Sequence, residues 1–180
     1  MSIKLTGDWP KARALKDVVS KALEVSLARE ADLLGENMRA GIASGHPGGT
    51  TLAPLHPLTA ALKGNSIPLA GMERWIQVKK VDRFHYFIGM VDPEGAWIGA
   101  IHEEGRTWTQ VWTERQRRWF FSQLSRFGLL DRSAPRGSTG GNGEVTHVIP
   151  PRPWLQPTAD QQLPAARQRI SADVIKAVLG

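Results

Sequence analysis

The chain has 180 residues and is 41% hydrophobic, enough for one sizeable core, so a single domain spanning 1–180 is expected. It contains no cysteine, which excludes a disulfide framework and a thiolate metal site, and no apolar run approaches the ~20 residues that cross a bilayer. A net charge of +6 permits nucleic acid or acidic protein surfaces as partners without requiring either, and seven tryptophans against one tyrosine point to core and interface anchors.

The N-terminal stretch Met1 to Gly7 lacks the apolar core of a signal peptide. Asp8 is a helix cap with Pro10 in the first turn. Apolar residues then recur at helical spacing from Leu15 through Val18, Leu27, Ala31, Leu34, Met38 and Ile42. The period predicts an amphipathic helix of about 30 residues, or ~45 Å, long enough to pack on a neighbour as well as on its own core. Gly41 to Pro54 is glycine-rich and predicts a flexible crossover, mobile near 44–54. It is not a phosphate cradle, because the glycines follow a helix and no lysine is present.

Leu55 to Leu62 predicts a short helix with Pro57 near its start. Glu73 to Lys80 and Phe84 to Val91 predict an antiparallel hairpin turning at Val81-Asp82-Arg83. Asp92-Pro93-Glu94-Gly95 carries a turn signal, and a short helix over Ala96 to Glu104 follows, ended by Gly105. Arg106 to Trp112 alternates as a strand. A helix from Thr113 to Phe127 follows, with Trp119, Phe120, Leu124 and Phe127 as its stripe. The window Arg106 to Arg136 holds seven arginines and two acids. Residues 129–143 are rich in Ser, Pro and Gly and predict a second mobile loop.

Val145 to Ile149 is a β-favouring run. Pro150, Pro151 and Pro153 then hold the chain extended, and Trp154-Leu155 supplies an apolar anchor. A closing helix is predicted from Pro157 to Leu179, with a late start or kink at Pro164. The whole reads as α+β: a small, mainly antiparallel sheet with a long N-terminal helix and a C-terminal helix packed on it.

Catalytic chemistry finds little support. His46, His56, His85, His102 and His147 show no His-x-x-x-His spacing, and His102-Glu103-Glu104 lacks a second ligand because position 106 is Arg106. Glu103 and Glu104 are adjacent and point apart on a helix, and there is no Gly-x-Ser-x-Gly elbow. No catalytic residue, metal or cofactor is expected. The helix 113–127 offers another reading: Arg115, Arg117, Arg118 and Arg126 beside Trp119 and Phe120 suit a basic nucleic-acid-binding protein, or face acidic groups on a neighbouring subunit.

Three stretches, in order, resemble the phage virion morphogenesis family, the tail-completion or neck proteins of Mu-like phages and prophages. They are Leu55-His-Pro-Leu-Thr-Ala-Ala-Leu-Lys-Gly-Asn-Ser-Ile-Pro-Leu69, Ala100-Ile-His-Glu-Glu-Gly105 and Ile149-Pro-Pro-Arg-Pro-Trp-Leu155. Glu104 stands where the family has an aromatic, and Trp154 where it has phenylalanine. The resemblance implies a non-enzymatic structural protein of the virion, active in tail completion and head–tail joining. It implies a homo-oligomeric ring, sixfold by preference, contacting other neck and tail proteins and open to contact with the DNA in the channel, with no membrane partner. The implied location is the head–tail junction, and the host cytoplasm during assembly. Arg152, Pro153, Trp154 and Leu155 are expected to seat the C-terminal helix on the chain's own sheet or on a neighbour's. Arg115, Arg117, Arg118 and Trp119 are the second candidate interface.

Overall fold

The computed structural model describes residues 9–130 and 143–179. Its spine is α1 (Trp9–Ser44), a helix of 36 residues. The apolar period therefore continues two residues past Ile42; the predicted cap, Asp8, lies outside the described residues. Only the second half of α1 enters the core. Ala31, Met38 and Ile42 are buried, whereas Leu15, Val18 and Val25 are exposed.

After α1 the chain reverses at Gly45 and Gly48, with φ of 77° and 57°, values that glycine adopts without steric cost. The 44–54 segment is the predicted crossover. Pro47–Gly49 forms one 3-10 turn, and Pro47 and Leu52 are buried. Helix α2 (Pro57–Lys63) follows, with His56 Nδ1 accepting from the Leu58 N–H at 3.2 Å.

Strands β1 (Ile76–Lys80) and β2 (Tyr86–Met90) pair antiparallel, Val78 opposite Ile88. Both are shorter than predicted. Glu73–Trp75 winds into a 3-10 turn, and the Asp82 carboxylate closes the hairpin by accepting from the N–H groups of Phe84 and His85 at 2.8 and 3.0 Å. The predicted turn at Asp92–Gly95 is instead the start of α3 (Pro93–Glu104). The Asp92 carboxylate accepts from the Glu94 and Gly95 N–H groups, both at 3.0 Å, and Pro93 opens the helix. Asp and Pro favour turns and helix starts alike, so the sequence could not separate the two.

Strand β3 (Arg106–Val111), helix α4 (Glu114–Arg126) and strand β4 (Glu144–Ile149) follow, β3 and β4 pairing antiparallel with Trp108 opposite His147. The strands thus form two separate ladders, with α3 between them in the chain, rather than one continuous sheet. Helix α5 (Leu155–Leu179) starts two residues earlier than predicted and continues through Pro164.

Helix α5 runs antiparallel beside α1. The Ser26 hydroxyl donates to Asp173 at 2.8 Å, and Arg169 Nη2 donates to the buried Glu30 at 2.6 Å. The core gathers where the second half of α1, the segments after it, the first hairpin and the start of α5 meet. Met38 and Ile42 of α1 pack with Leu52, Leu69, Met72, Ile76, Met90 and Trp154.

Candidate functional site

The second and third stretches that carry the family resemblance meet in one joint, and the loop just ahead of the first is tied to it. Arg152 has a relative exposure of 5%. Its Nε donates to the Ala53 carbonyl at 2.7 Å and its Nη2 to the Pro54 carbonyl at 2.8 Å, just ahead of the first stretch. Its backbone N–H donates to the His102 carbonyl at 2.6 Å, within the second. Pro151 and Pro153 leave residue 152 the backbone donor of that run, and it is used. The guanidinium is met by carbonyl dipoles rather than a carboxylate, and burial lowers its pKa.

Glu103 holds the other side of the joint. Its carboxylate accepts from the N–H groups of Trp154 at 2.8 Å, Leu155 at 3.1 Å and Gln156 at 3.3 Å. Those are the donors that the start of α5 leaves unsatisfied, and the next residue, Pro157, has none. A charged acceptor here also meets the positive end of the α5 dipole. Trp154, 6% exposed, fills the space behind it, its Nε1 donating to the Gly99 carbonyl at 3.3 Å. A Cβ on Gly99 would lie 2.7 Å from Met90 Sδ and 3.4 Å from the indole, so the absent side chain makes room for the Met90 sulfur beside the ring. His102 lies beside the joint. Burial first, then the cations of Arg152 and Lys63, push its pKa from 6.5 down to about 4.

Residues 106–130 with 143–149 form a different surface. None of them is buried, although they include Trp108, Trp112, Trp119, Phe120, Phe121 and Phe127. The module is braced from within. Thr113 and Gln116 make a capping box at α4. Trp108 stacks on His147 at 4.8 Å, and Trp112 Nε1 donates to His147 Nε2 at 3.1 Å. Between α4 and α2, above the ladder face of Trp108, Gln110, Val145 and His147, lies a trough of about 570 Å³.

The two predicted interfaces therefore separate. Arg152 and Trp154 turn inward, so of the two alternatives the seat of α5 is on the chain's own core. Pro153 is half-buried between them, and Leu155 alone of the four is exposed. On α4 the arginines diverge. Arg118 pairs with Glu114, and the Arg117 guanidinium lies 3.8 Å from where a Cβ on Gly143 would sit. Arg115, Trp119 and Arg126 share one flank by helical spacing, and Trp119 is 55% exposed at the lip of the trough. Leu129 begins the second predicted mobile loop, of which residues 131–142 lie outside the described residues.

The sequence reading passed over Glu103, Gly99 and the carbonyls of Ala53 and Pro54. Glu103 lies in the second resembling stretch, which is the signal that could have marked it; its cap partner is 51 residues away. Among the described residues, no three acidic or histidine side chains come together as a metal site, and no helix is long and apolar enough to cross a membrane.

The fold and these surfaces define a class: an α+β protein on a long helical spine, with an internal joint and an uncovered strand–helix–strand module. No protein-family model, curated protein or solved structure matches the chain.

Proposed function

We propose that the chain is a structural protein of a tailed phage or prophage virion, acting in tail completion and head–tail joining as part of a ring at the neck. The observation that carries this reading is the joint. The second and third resembling stretches, separated by tens of residues, lock together through Arg152 and Glu103, and Arg152 also ties in the loop that leads into the first, which is what one structural unit requires and three unrelated short similarities do not. The surface is in keeping with an assembly role. Trp119, Phe121, Leu129, Leu130, Val111 and Val148 are exposed on one module, and apolar exposure on that scale marks contact with other proteins. A ring needs contact surfaces between subunits, and the exposed apolar positions of α1 and α5 (Val18, Val25, Ile175), remote in sequence from the module, offer a surface for them.

The test is mass in solution by light scattering, over a range of protein and salt concentrations, with electron microscopy of the largest species. A species near six subunits with a central opening is expected. A monomer at every concentration and salt would remove the self-assembling ring.

A further inference from the structure

We propose that the trough between α2 and α4 receives an amphipathic helix of a partner protein, one whose flank carries acidic side chains. The site is independent of whether the chain closes into a ring. Its shape comes first. The ladder β3–β4 forms the floor, α2 one wall and α4 the other, and the lining is mainly apolar: Leu58, Leu62, Trp112, Trp119, Phe120 and Val145 among others. A two-stranded ladder is marginal by itself and needs a layer packed on its face. Among the described residues α2 and α4 cover the two sides of that face, and a third helix laid between them would complete the layer. That is the helix-in-groove mode of recognition, read through apolar anchors three and four residues apart.

Charge identifies the occupant. The described part of the module carries Arg106, Arg115, Arg117, Arg118 and Arg126 against Glu114 and Glu144. Glu114 is committed to Arg118. Among the described residues no acid pairs with Arg115 or Arg126, which by helical spacing lie on the Trp119 flank of α4, one turn before that ring and two turns after it. A second copy would bring a chain of net charge +6 to this rim, so like charges would oppose it. An acidic flank on the incoming helix meets both arginines while its apolar stripe enters the trough.

Nucleic acid fits the site less well. Trp108 is already stacked on His147, and Trp112 is hydrogen-bonded to the same ring. That leaves Trp119 as the open ring at the trough, where single-strand binding uses successive stacking platforms. The exposed neighbours Leu129, Leu130 and Val148 suit protein side chains rather than phosphates.

The test uses the full chain and three fluorescently labelled peptides of about 18 residues, five helical turns. One has a leucine stripe and glutamates on its flanks. The second replaces those glutamates with lysine. The third scrambles the first so that the stripe is lost. Anisotropy should show the acidic amphipathic peptide binding at least ~10-fold tighter than either control, a ratio equal to ~1.4 kcal/mol. Trp119→Ser should weaken it by a similar factor, and Arg115→Glu with Arg126→Glu should reverse the preference toward the lysine peptide. Because α4 buries none of its residues, these variants should keep the wild-type melting curve. Failure of the acidic peptide to bind, or equal binding of all three, overturns the proposal. Tighter binding of a thymidine oligonucleotide with the same dependence on Trp119 would overturn it in favour of nucleic acid. The ring is read separately, by mass, so either idea can fail alone.

Discussion

Replacing Trp154 with alanine probes the joint most directly. The indole is 6% exposed, against Gly99 and Met90, and donates to the Gly99 carbonyl. A buried tryptophan removes on the order of 200 Å² from water, worth ~5 kcal/mol at 25 cal/mol per Å². Alanine keeps a small part of that, and the surroundings relax only partly. Loss of the hydrogen bond adds about 1 kcal/mol. The expected cost of Trp154→Ala is therefore about 3–5 kcal/mol, which for a chain of this size lowers Tm by roughly 10 °C. Trp154→Phe keeps most of the packing and loses the donor, for about 1–2 kcal/mol. Urea unfolding followed by far-ultraviolet circular dichroism measures both, and amide exchange over residues 155–179 reports whether α5 loosens first. A Trp154→Ala variant within ~1 kcal/mol of wild type would refute a packed joint. A phenylalanine variant as damaged as the alanine one would refute packing as the main contribution.

Three further outcomes follow from the same coordinates. His102 has a folded pKa of about 4, below its ordinary 6.5, so the unfolded chain binds the extra proton between those values. Its contribution is complete above pH 6.5 and is lost as pH falls toward 4, a change on the order of 3 kcal/mol; His102→Gln should flatten that part of the stability-versus-pH curve. Glu30 is held below its usual 4.5, chiefly by its hydrogen bonds from Arg169, so its contribution is present above pH 4.5 and fades below it. Glu30→Gln should cost about 1–3 kcal/mol in urea unfolding at pH 7 and remove that acid-side loss. Gly48→Ala should be among the most damaging single-methyl changes, because its Cβ would sit 2.3 Å from the Pro157 backbone at a φ of +57°. A cost of about 3 kcal/mol or more is expected, seen as early loss of the α1–α5 pairing in thermal melts.

Local pattern carried most of the elements. The period along α1, the proline at the start of α2, the hairpin, the helix beginning at Thr113 and the α+β class were all legible, because each depends on residues within a few positions of one another. Where sequence reading strayed, two local preferences coincided. Asp92-Pro93 serves a turn or a helix start equally, and the deciding feature is the cap formed by the Asp92 carboxylate. At Leu155 the boundary moved for another reason. The first donors of α5 are satisfied by Glu103, which is remote in sequence, so no local rule could find the cap.

The resembling stretches were visible as words in the chain, but that the second and third lock into one joint was not. Sequence alone determined that Arg152, Trp154 and their prolines make a stiff apolar anchor, since proline restricts φ whatever surrounds it. It also determined that α4 is amphipathic and arginine-rich. Only the tertiary structure decided that the anchor is inserted into the chain's own core, because that depends on the space above Gly99 and on carbonyls about a hundred residues away. Only the tertiary structure, likewise, brought Arg117 beside Gly143 and set Trp119 at the lip of a trough, whereas the Glu114–Arg118 pair is local, four residues apart on one helix. Pairing between charges is a matter of ångströms across the fold, and composition records only their number.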